Sequence, residues 1–357
     1  MPKLSVVMSV YNGEEFIETA IECILNQTYT DFELILINDG SKDGSLALMQ
    51  SYADKDKRVR IIDQQNTGLT IALRRGVDAA RGEYIARMDV DDLSLPDRFE
   101  KQMALIDAQP DLIAVTTDVE HVFENGTRIG SSRLNRDPRL LPLLLIFSNA
   151  IGGHGQMIYS REAYHAAGGY DPDFNLAEDY DLWARLADLG PFGRVPEFLY
   201  RYRVGHDSVS SLNKTKQFEV AGRVSRRQYT NVTGIELDDQ SARALDTFIA
   251  RGPLEDIPLS TLWMTPSVLK KAVNVFFKAN PELRGEKYET LRHFAARWWW
   301  KRRELAQFNL VLMIIIMANV ARLGTAAVVA KLLYGDTHVE VNPPLPKGER
   351  VDNWQIS

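Results

Sequence analysis

Hydrophobic and polar positions follow two alternating periods along the first 92 residues. Short runs rich in β-branched residues predict strands at Leu4–Val10, Phe32–Ile37, Val59–Ile62 and Glu83–Met88. The segments between them carry apolar residues at helical spacing, which predicts helices at Glu14–Asn26, Ser45–Ala53 and Gly68–Ala80. This alternation predicts an α/β fold with a mainly parallel sheet flanked by helices.

Farther along the chain the pattern is mixed and then becomes helical. Strands are predicted at Leu112–Thr117 and Gln156–Ser160, and helices at Arg161–Ala167 and Asp179–Leu189. Beyond about residue 211, Pro and Gly residues divide the sequence into helices. We therefore predict an α/β domain over residues 1–211, a helical C-terminal region over 212–303, apolar helices over 304–334 and a tail over 335–357.

Composition and charge narrow the class of protein. With 45% hydrophobic and 25% charged residues, the composition is that of an ordinary protein that folds in water. The formal net charge of -6 argues against a nucleic-acid partner. Cys23 is the single cysteine, so an internal disulfide is excluded, and the N-terminal residues lack the pattern of a signal peptide. A cytoplasmic protein is expected.

Polar clusters follow three of the four predicted N-terminal strands. They are Tyr11–Gly13, Asn38–Ser41 and Asp89–Asp92. Because ligands bind open α/β sheets at the carboxyl ends of the strands, we expect these clusters to share one site. Asp39 is suited to accept a hydrogen bond from a base N–H or a ribose hydroxyl, although an Asn-Asp-Gly-Ser turn also forms without a ligand.

The segment Asp89–Asp92 carries three carboxylates within four residues. Each close pair repels by about 4 kcal/mol near a protein surface, and this repulsion favours capture of a divalent cation. Oxygen ligands suit Mg²⁺ or Mn²⁺, which would offset the charge of a leaving diphosphate. The alternative is a solvated turn in which Asp92 caps the following helix.

A second acidic segment, Glu178–Trp183, enters a predicted helix. A carboxylate beside aromatic residues suits a general base for an acceptor hydroxyl. The alternative is that Asp179 or Asp181 caps the helix. A third segment, Tyr200–Ser210, contains arginines and His206, which suit phosphate oxygens or are exposed cations at a strand edge.

In this order, the segments resemble the family 2 glycosyltransferases of the GT-A fold, a Rossmann-like class, especially members of bacterial polysaccharide and glycan assembly. The resemblance covers about Lys3 to Ser211. Its carriers are Ser5–Asn12, Leu36–Ser41, Asn66–Leu69, Gly82–Asp92, Pro96–Arg98, Gly168–Asp171 and Glu178–Trp183. It implies an inverting, metal-dependent enzyme that moves a sugar from a nucleotide-diphosphate donor to a hydroxyl of a glycan acceptor. A UDP-sugar is the expected donor, with dTDP- and GDP-sugars as the alternatives.

The resemblance also implies roles for residues on the donor side. Val10, Tyr11 and Asn12 would line the nucleotide pocket, and Asp39 would hold the base. Asp89 would lie near the ribose or metal-bound waters, while Asp91 would bind the Mn²⁺ or Mg²⁺ of this DXD motif. Arg203 and His206 would belong to an element that closes over the diphosphate, with His206 as a second metal ligand.

On the acceptor side, the resemblance implies that Asp179 is the general base, with Glu178 beside it. Two positions depart from the family pattern. Arg74 stands where relatives commonly carry Asn, and Gly152–Met157 is unusually rich in glycine. We predict a flexible acceptor-side loop there with contacts from His154 and Gln156; a glycine-rich turn without a ligand is the alternative.

The C-terminal segment raises the question of a membrane. Leu305–Ala321 contains 17 uncharged residues, about 25 Å of helix, which is shorter than the roughly 20 residues that a bilayer core requires. Trp298–Trp300 beside Lys301–Arg303 indicates an interfacial position, so we predict helices at the inner face of the cytoplasmic membrane. The alternative is a buried hairpin or an interface in a homo-oligomer. A membrane position suits an acceptor carried on a polyprenyl diphosphate.

Two other functions compete with sugar transfer. A nucleotidyltransferase would show a glycine-rich phosphate loop with Arg or Lys after the first strand, where this chain has Tyr11–Glu15. A non-catalytic nucleotide- or sugar-binding protein of the same fold would not need both Asp91 and Asp179, since folding does not require that pair.

Overall fold

The computed structural model describes residues 1–134, 136–204, 214–249, 259–287 and 289–291. These residues form two compact units. The first contains residues 1–141 and 149–204, and the second contains 142–148 and the described residues from 214 onward. The predicted boundary between residues 211 and 212, the apolar segment 304–334 and the tail 335–357 lie outside the described residues.

Within its described residues, the first unit is a nine-stranded sheet covered by helices. The strands are β1 (Leu4–Val10), β2 (Phe32–Asp39), β3 (Val59–Gln64), β4 (Tyr84–Asp89), β5 (Leu93–Ser94), β6 (Ala114–Phe123), β7 (Arg128–Ser132), β8 (Ile158–Ser160) and β9 (Phe192–Val204). The helices are α1 (Ile17–Leu25), α2 (Ser45–Ala53), α3 (Leu69–Asp78), α4 (Arg98–Ala108), α6 (Arg161–Ala166) and α7 (Glu178–Ala187). Helix α5 (Leu141–Leu144) begins at the last residue of the segment 1–141 and continues into residues 142–148 of the second unit. Short 3₁₀ helices occur at Pro138–Leu140 and Pro172–Phe174.

The strand order is β3-β2-β1-β4-β8-β6-β9-β5, with β7 paired to β6. The first four of these strands are parallel, as the sequence pattern predicts. Strand β8 is antiparallel to both of its neighbours, whereas β6 and β9 are parallel. The second half of the sheet is therefore mixed, because the three-residue β8 reaches the sheet from a loop and leaves it directly into α6.

Apolar side chains cover both faces of the parallel half of the sheet. In β1, Val6 and Met8 belong to a core cluster that includes residues of α1, α2 and α4. Val7 points to the opposite face, where a Cβ on Gly76 of α3 would lie 2.6 Å from its side chain. Each fully buried aliphatic side chain of this kind contributes about 1.5–3 kcal/mol. Burial on two faces explains why these strands read as continuous apolar runs.

The ends of two strands and one helix differ from the sequence predictions. Strands β2 and β4 extend to Asp39 and Asp89, because their polar ends still pair with neighbouring strands, as Asp89 does with Ser9. Helix α4 was not predicted. It begins at Arg98, a charged residue that is fully buried under the sheet.

The second unit is helical, which confirms the predicted helical appendage for the residues described. It contains α8 (Lys214–Thr233), α9 (Asp239–Ile249), α10 (Leu259–Ala279) and a 3₁₀ helix at Pro281–Glu286. The Ser225 hydroxyl donates to the carbonyl of Ile146, and the Gln228 amide donates to the carbonyl of Pro142 at 3.2 Å. Among the described residues, no helix is both long and apolar enough to cross a membrane.

Substitution of Gly40 by alanine tests how tightly the loops at the carboxyl edge of the sheet are packed. Its φ is +75°, and a Cβ there would lie 2.6 Å from the backbone nitrogen of Asn66. Gly68 also has a positive φ, +85°, but a Cβ would meet nothing within 4 Å. Positive φ costs both alanine variants about 1–3 kcal/mol, and Gly40→Ala has the backbone overlap in addition. We expect thermal unfolding of Gly40→Ala about 2–4 °C below that of Gly68→Ala for each kcal/mol that the overlap costs. Equal midpoints would show that the loops yield freely.

Candidate functional site

The carboxyl ends of β1, β2 and β4 lie side by side. Val10 is in register with Asn38, and Ser9 is in register with Asp89. This arrangement confirms the expectation that the polar clusters after these three strands share one edge of the sheet.

The three predicted pocket residues after β1 differ in what they present. Val10 is fully buried in the core, so its side chain packs beneath this edge of the sheet and is not exposed at it. Tyr11 is 50% exposed. Asn12 has a φ of +51°; its Oδ1 accepts from the backbone N–H of Lys42 at 2.8 Å, and its own N–H donates to Ser41 Oγ at 3.1 Å. Asn12 therefore joins the loops after β1 and β2.

Asp39 holds the loop between β3 and α3. Its Oδ1 accepts from Gln64 Nε2 at 2.7 Å and from the Thr67 N–H at 2.8 Å, while its Oδ2 accepts from the Gly68 N–H at 2.9 Å. The side chain is buried, with 2% exposed. Because a carboxylate oxygen can accept two hydrogen bonds, Oδ2 retains capacity for one more donor.

Each carboxylate of the turn after β4 has a different environment. Asp89 Oδ1 lies 2.5 Å from Nη2 of Arg87, whose side chain is 1% exposed. Burial raises the pKa of Asp89, the charge of Asp91 adds to this effect, and Arg87 opposes it. Asp91 is half-buried beside them.

Asp92 connects the turn to β9. Its Oδ2 accepts from the hydroxyl of Tyr200 at 2.7 Å, and its Oδ1 accepts from the backbone N–H of Arg203 at 2.8 Å. Burial, followed by the charges of Asp89 and Asp91, raises its pKa well above the usual range. The alternative in which Asp92 caps the next helix is wrong, because α4 begins only at Arg98.

Arg203 lies at the same edge. Its guanidinium carbon is 4.8 Å from the centroid of the Phe16 ring, at the start of α1. Its backbone N–H bonds to Asp92, so the residue itself lies beside the acidic turn. His206, the other predicted basic residue, lies outside the described residues.

The chemistry of the acidic turn fits a divalent cation only in part. Among the described residues, no group of three or more His, Cys, Asp or Glu side chains is arranged to hold a metal ion. Asp91, the ligand that the resemblance implies, lies in this turn between Asp89, which is engaged by Arg87, and Asp92, which is engaged by Tyr200 and Arg203. Mg²⁺ in proteins usually takes one or two carboxylates together with phosphate oxygens of a ligand, which is compatible with this donor set.

Asp179 lies in the first turn of α7, held from two sides. Its Oδ2 accepts from Asn149 Nδ2 at 2.9 Å, and its Oδ1 accepts from the Tyr180 N–H at 2.6 Å. Burial, followed by the charges of Glu178 and Asp89, raises the pKa of Asp179 to about 7, against the two hydrogen bonds. A carboxylate with this pKa suits a proton acceptor near neutral pH.

The alternative role of these aspartates as helix caps is wrong. The N-cap of α7 is Ala177, which makes no side-chain cap. Asp181 is fully buried and forms an ion pair with Arg185 one turn along the helix. Glu178 is 7% exposed, and its Oε2 accepts from the N–H of Leu176 at 2.9 Å. Glu178 therefore stabilises the strained entry to α7, where Leu176 has a φ of +81°.

The glycine-rich loop before β8 is braced, in contrast to the flexible loop that we expected. His154 Nε2 is hydrogen bonded to the Tyr170 hydroxyl at 2.6 Å, and burial lowers the pKa of His154 well below its usual range. Gln156 is 2% exposed; its Nε2 donates to the Ile151 carbonyl at 2.8 Å, and its Oε1 accepts from the Gly153 N–H at 3.1 Å. The side chains of His154 and Gln156, which we predicted to contact the acceptor, thus make hydrogen bonds that hold the loop.

Two residues of the site were not singled out from the sequence. Arg87 is buried, and its Nε and Nη1 have no hydrogen-bond partner within the described residues. A charged residue inside an otherwise apolar strand was a signal that could have identified it. Asn149 carries no such signal, because its contact with Asp179 spans 30 positions of sequence.

Comparisons with known proteins agree with this arrangement. Residues 5–168 match the model of Glycosyl transferase family 2. The O-antigen biosynthesis glycosyltransferase WbnJ of Escherichia coli is 35% identical over 212 residues, which cover 57% of this chain and 81% of WbnJ.

Solved structures share the fold at low sequence identity. S. aureus TarS 1-349 in complex with UDP-GlcNAc aligns with a TM-score of 0.57 and 14% identity, over 89% of this chain and 91% of that one. The mannosyltransferase PcManGT of Pyrobaculum calidifontis, in complex with GDP-Man and Mn²⁺, aligns with a TM-score of 0.50 and 17% identity, over 93% and 87%. These structures confirm the predicted GT-A fold class.

Tyr200→Phe tests the connection between the acidic turn and β9. The variant removes the hydroxyl that donates to Asp92 and leaves a buried carboxylate oxygen without that donor. We expect a loss of about 1–3 kcal/mol in the free energy of unfolding, measured by urea denaturation. Tyr84→Phe is the matched control, since the Tyr84 hydroxyl makes no hydrogen bond among the described residues. A Tyr200→Phe protein as stable as the control would contradict a structural role for Asp92.

Proposed function

The chain belongs to glycosyltransferase family 2, and we propose that it inverts the anomeric centre as it transfers a sugar from a UDP-sugar to a hydroxyl of a glycan acceptor. The observation that carries this proposal is the Asp179 carboxylate. It is fixed by two hydrogen bonds and has a pKa of about 7, which the charge of nearby Asp89 helps to raise. A base beside the acidic turn is what single-displacement transfer requires.

The reaction follows from the position of Asp179. An acceptor hydroxyl within hydrogen-bond reach donates its proton to the Asp179 carboxylate. The hydroxyl oxygen attacks the anomeric carbon from the side opposite the diphosphate, a new glycosidic C–O bond forms, and the bond to the diphosphate breaks. One displacement inverts the configuration, and the proton remains on Asp179 until the product leaves.

The donor is proposed to bind along the carboxyl edge of the sheet. Asp39 Oδ2 has capacity for a base or ribose donor, and Tyr11, whose side chain is exposed, follows the neighbouring strand β1 at the same edge. Val10 and Asn12 shape this surface, and Asp89 lies at the ribose side. Support for a nucleotide-sugar comes from TarS, whose structure contains UDP-GlcNAc.

Divalent metal is proposed to be held by Asp91 together with phosphate oxygens of the donor, and Arg203 supplies a further positive charge. The Mn²⁺ in the PcManGT complex supports this cofactor. When bound, Mn²⁺ or Mg²⁺ would neutralise charge on the leaving diphosphate. His206 as a second ligand stays a prediction outside the described residues.

The acceptor is proposed to be a growing surface glycan. WbnJ, named for O-antigen biosynthesis, supports this class of acceptor. A glycan linked to polyprenyl diphosphate would place the enzyme at the inner face of the cytoplasmic membrane, through residues 304–334. A homo-oligomer is the alternative use of that apolar segment.

Asp179→Asn tests the general base. Release of UDP is measured with Mn²⁺ and a panel of UDP-glucose, UDP-galactose, UDP-GlcNAc and UDP-GalNAc, with water or oligosaccharides as acceptors. Wild-type turnover should rise with pH through about 7, because Asp179 must be ionised to accept a proton. Asp179→Asn should lower turnover by about 10²–10⁴-fold while UDP still binds.

Asp188→Asn is the control for this experiment, since Asp188 is exposed at the other end of α7. It should retain wild-type turnover and the same pH dependence. Full turnover in Asp179→Asn would remove Asp179 as the base and with it the proposed mechanism.

A further inference from the structure

Asn149 makes a direct hydrogen bond to the proposed base. Its Nδ2 donates to Asp179 Oδ2 at 2.9 Å and to the carbonyl of Gly152 at 3.0 Å. Its Oδ1 accepts from the Gly152 N–H at 3.3 Å. The amide is therefore anchored to its own loop on one side and directed at the carboxylate on the other.

The loop that carries Asn149 is held in place by side chains. Gly152 adopts a φ of +93°, which brings its N–H and carbonyl to the Asn149 amide. Gln156 binds the carbonyl of Ile151 and the N–H of Gly153. These bonds fix the direction of the Asn149 amide independently of Asp179.

Charged groups from three elements surround Asp179. Glu178 on α7 and Asp89 at the end of β4 both disfavour its ionised form. Arg87 in β4 favours the ionised form of Glu178, and Tyr202 of β9 interacts with both Asp89 and Asp179. On the loop, His154 is kept neutral. With two acidic neighbours and no direct ion pair among the described residues, Asp179 relies on neutral donors to keep its charge.

The type of donor matters for a base. A hydrogen bond to the ionised carboxylate favours that form, whereas a direct ion pair with Arg would hold the carboxylate ionised so strongly that it accepts protons poorly. An amide donor favours the ionised carboxylate less strongly than a direct ion pair and more strongly than no donor at all. It also leaves one acceptor site of Oδ2 for the hydroxyl of an acceptor.

We propose that Asn149 is the positioning residue of the reaction: its amide holds the Asp179 carboxylate in one orientation and in the ionised form needed to take the acceptor proton. This inference rests on the proposed role of Asp179 as base. Asn149 itself need not contact the substrate.

Asn149→Ala tests the proposal through the pH dependence of turnover, measured with the UDP-sugar that wild type uses best. Loss of the donor should raise the pKa of Asp179, so the rise of turnover on the acidic side of the pH profile (the acidic limb) should move to higher pH by about 0.5–1 pH unit. At pH 7 turnover should fall about two- to fivefold, and it should recover at pH 9. Asn125→Ala, in the exposed turn between β6 and β7, is the matched control and should show no shift.

A second variant separates the hydrogen bond from the loop. Asn149→Ser retains an oxygen that can accept from the Gly152 N–H but is too short to reach Asp179. It should reproduce the upward shift of the limb with a smaller loss in unfolding temperature. An unchanged limb in both variants, or a loss of turnover that is uniform across pH, would overturn the role of Asn149. Such a result would leave Asp179 untouched as base, since the Asp179→Asn experiment decides that question separately.

Discussion

Repulsion between carboxylates is the constraint that organises the active edge of the sheet. Parallel strands bring Asp39 and Asp89 to the same edge, and the turn after β4 adds Asp91 and Asp92. Within the turn, each close pair of carboxylates repels by about 4 kcal/mol, which neighbouring groups must offset. The groups that offset the repulsion determine what each carboxylate can do.

Compensation differs in kind from one carboxylate to the next. Asp89 has a buried guanidinium, Asp92 has a phenol and a backbone N–H, and Asp39 has four donors on Gln64, Thr67 and Gly68. Asp179 has an amide and a backbone N–H. Asp89, Asp92 and Asp39 hold the strands and loops of this edge together, and we propose Asp91 as a metal ligand and Asp179 as the base. This division explains how one acidic surface can serve both folding and transfer.

Much of this architecture could be predicted from sequence, because periodicity reports which face of an element is buried. The strands β1 to β4 and the convergence of their polar ends follow directly from that pattern. The buried start of α4 at Arg98 did not, since a charged residue normally marks an exposed position. The bracing of the glycine-rich loop by His154 and Gln156 also escaped, because glycine content reports backbone freedom and not the side chains that later restrict it. Asn149 was missed for a similar reason: its partner is distant in sequence and only the folded chain brings them together.

The central claim is that the acidic edge binds a nucleoside diphosphate through a divalent cation on Asp91. Calorimetric titration of UDP into the protein, with and without Mn²⁺, tests it most directly. We expect binding that requires Mn²⁺, is lost in Asp91→Ala and is retained in Asp111→Ala; Asp111 is an exposed aspartate near the amino end of β6. Mn²⁺-dependent binding of equal strength in Asp91→Ala, or no binding of UDP by wild type, would contradict it.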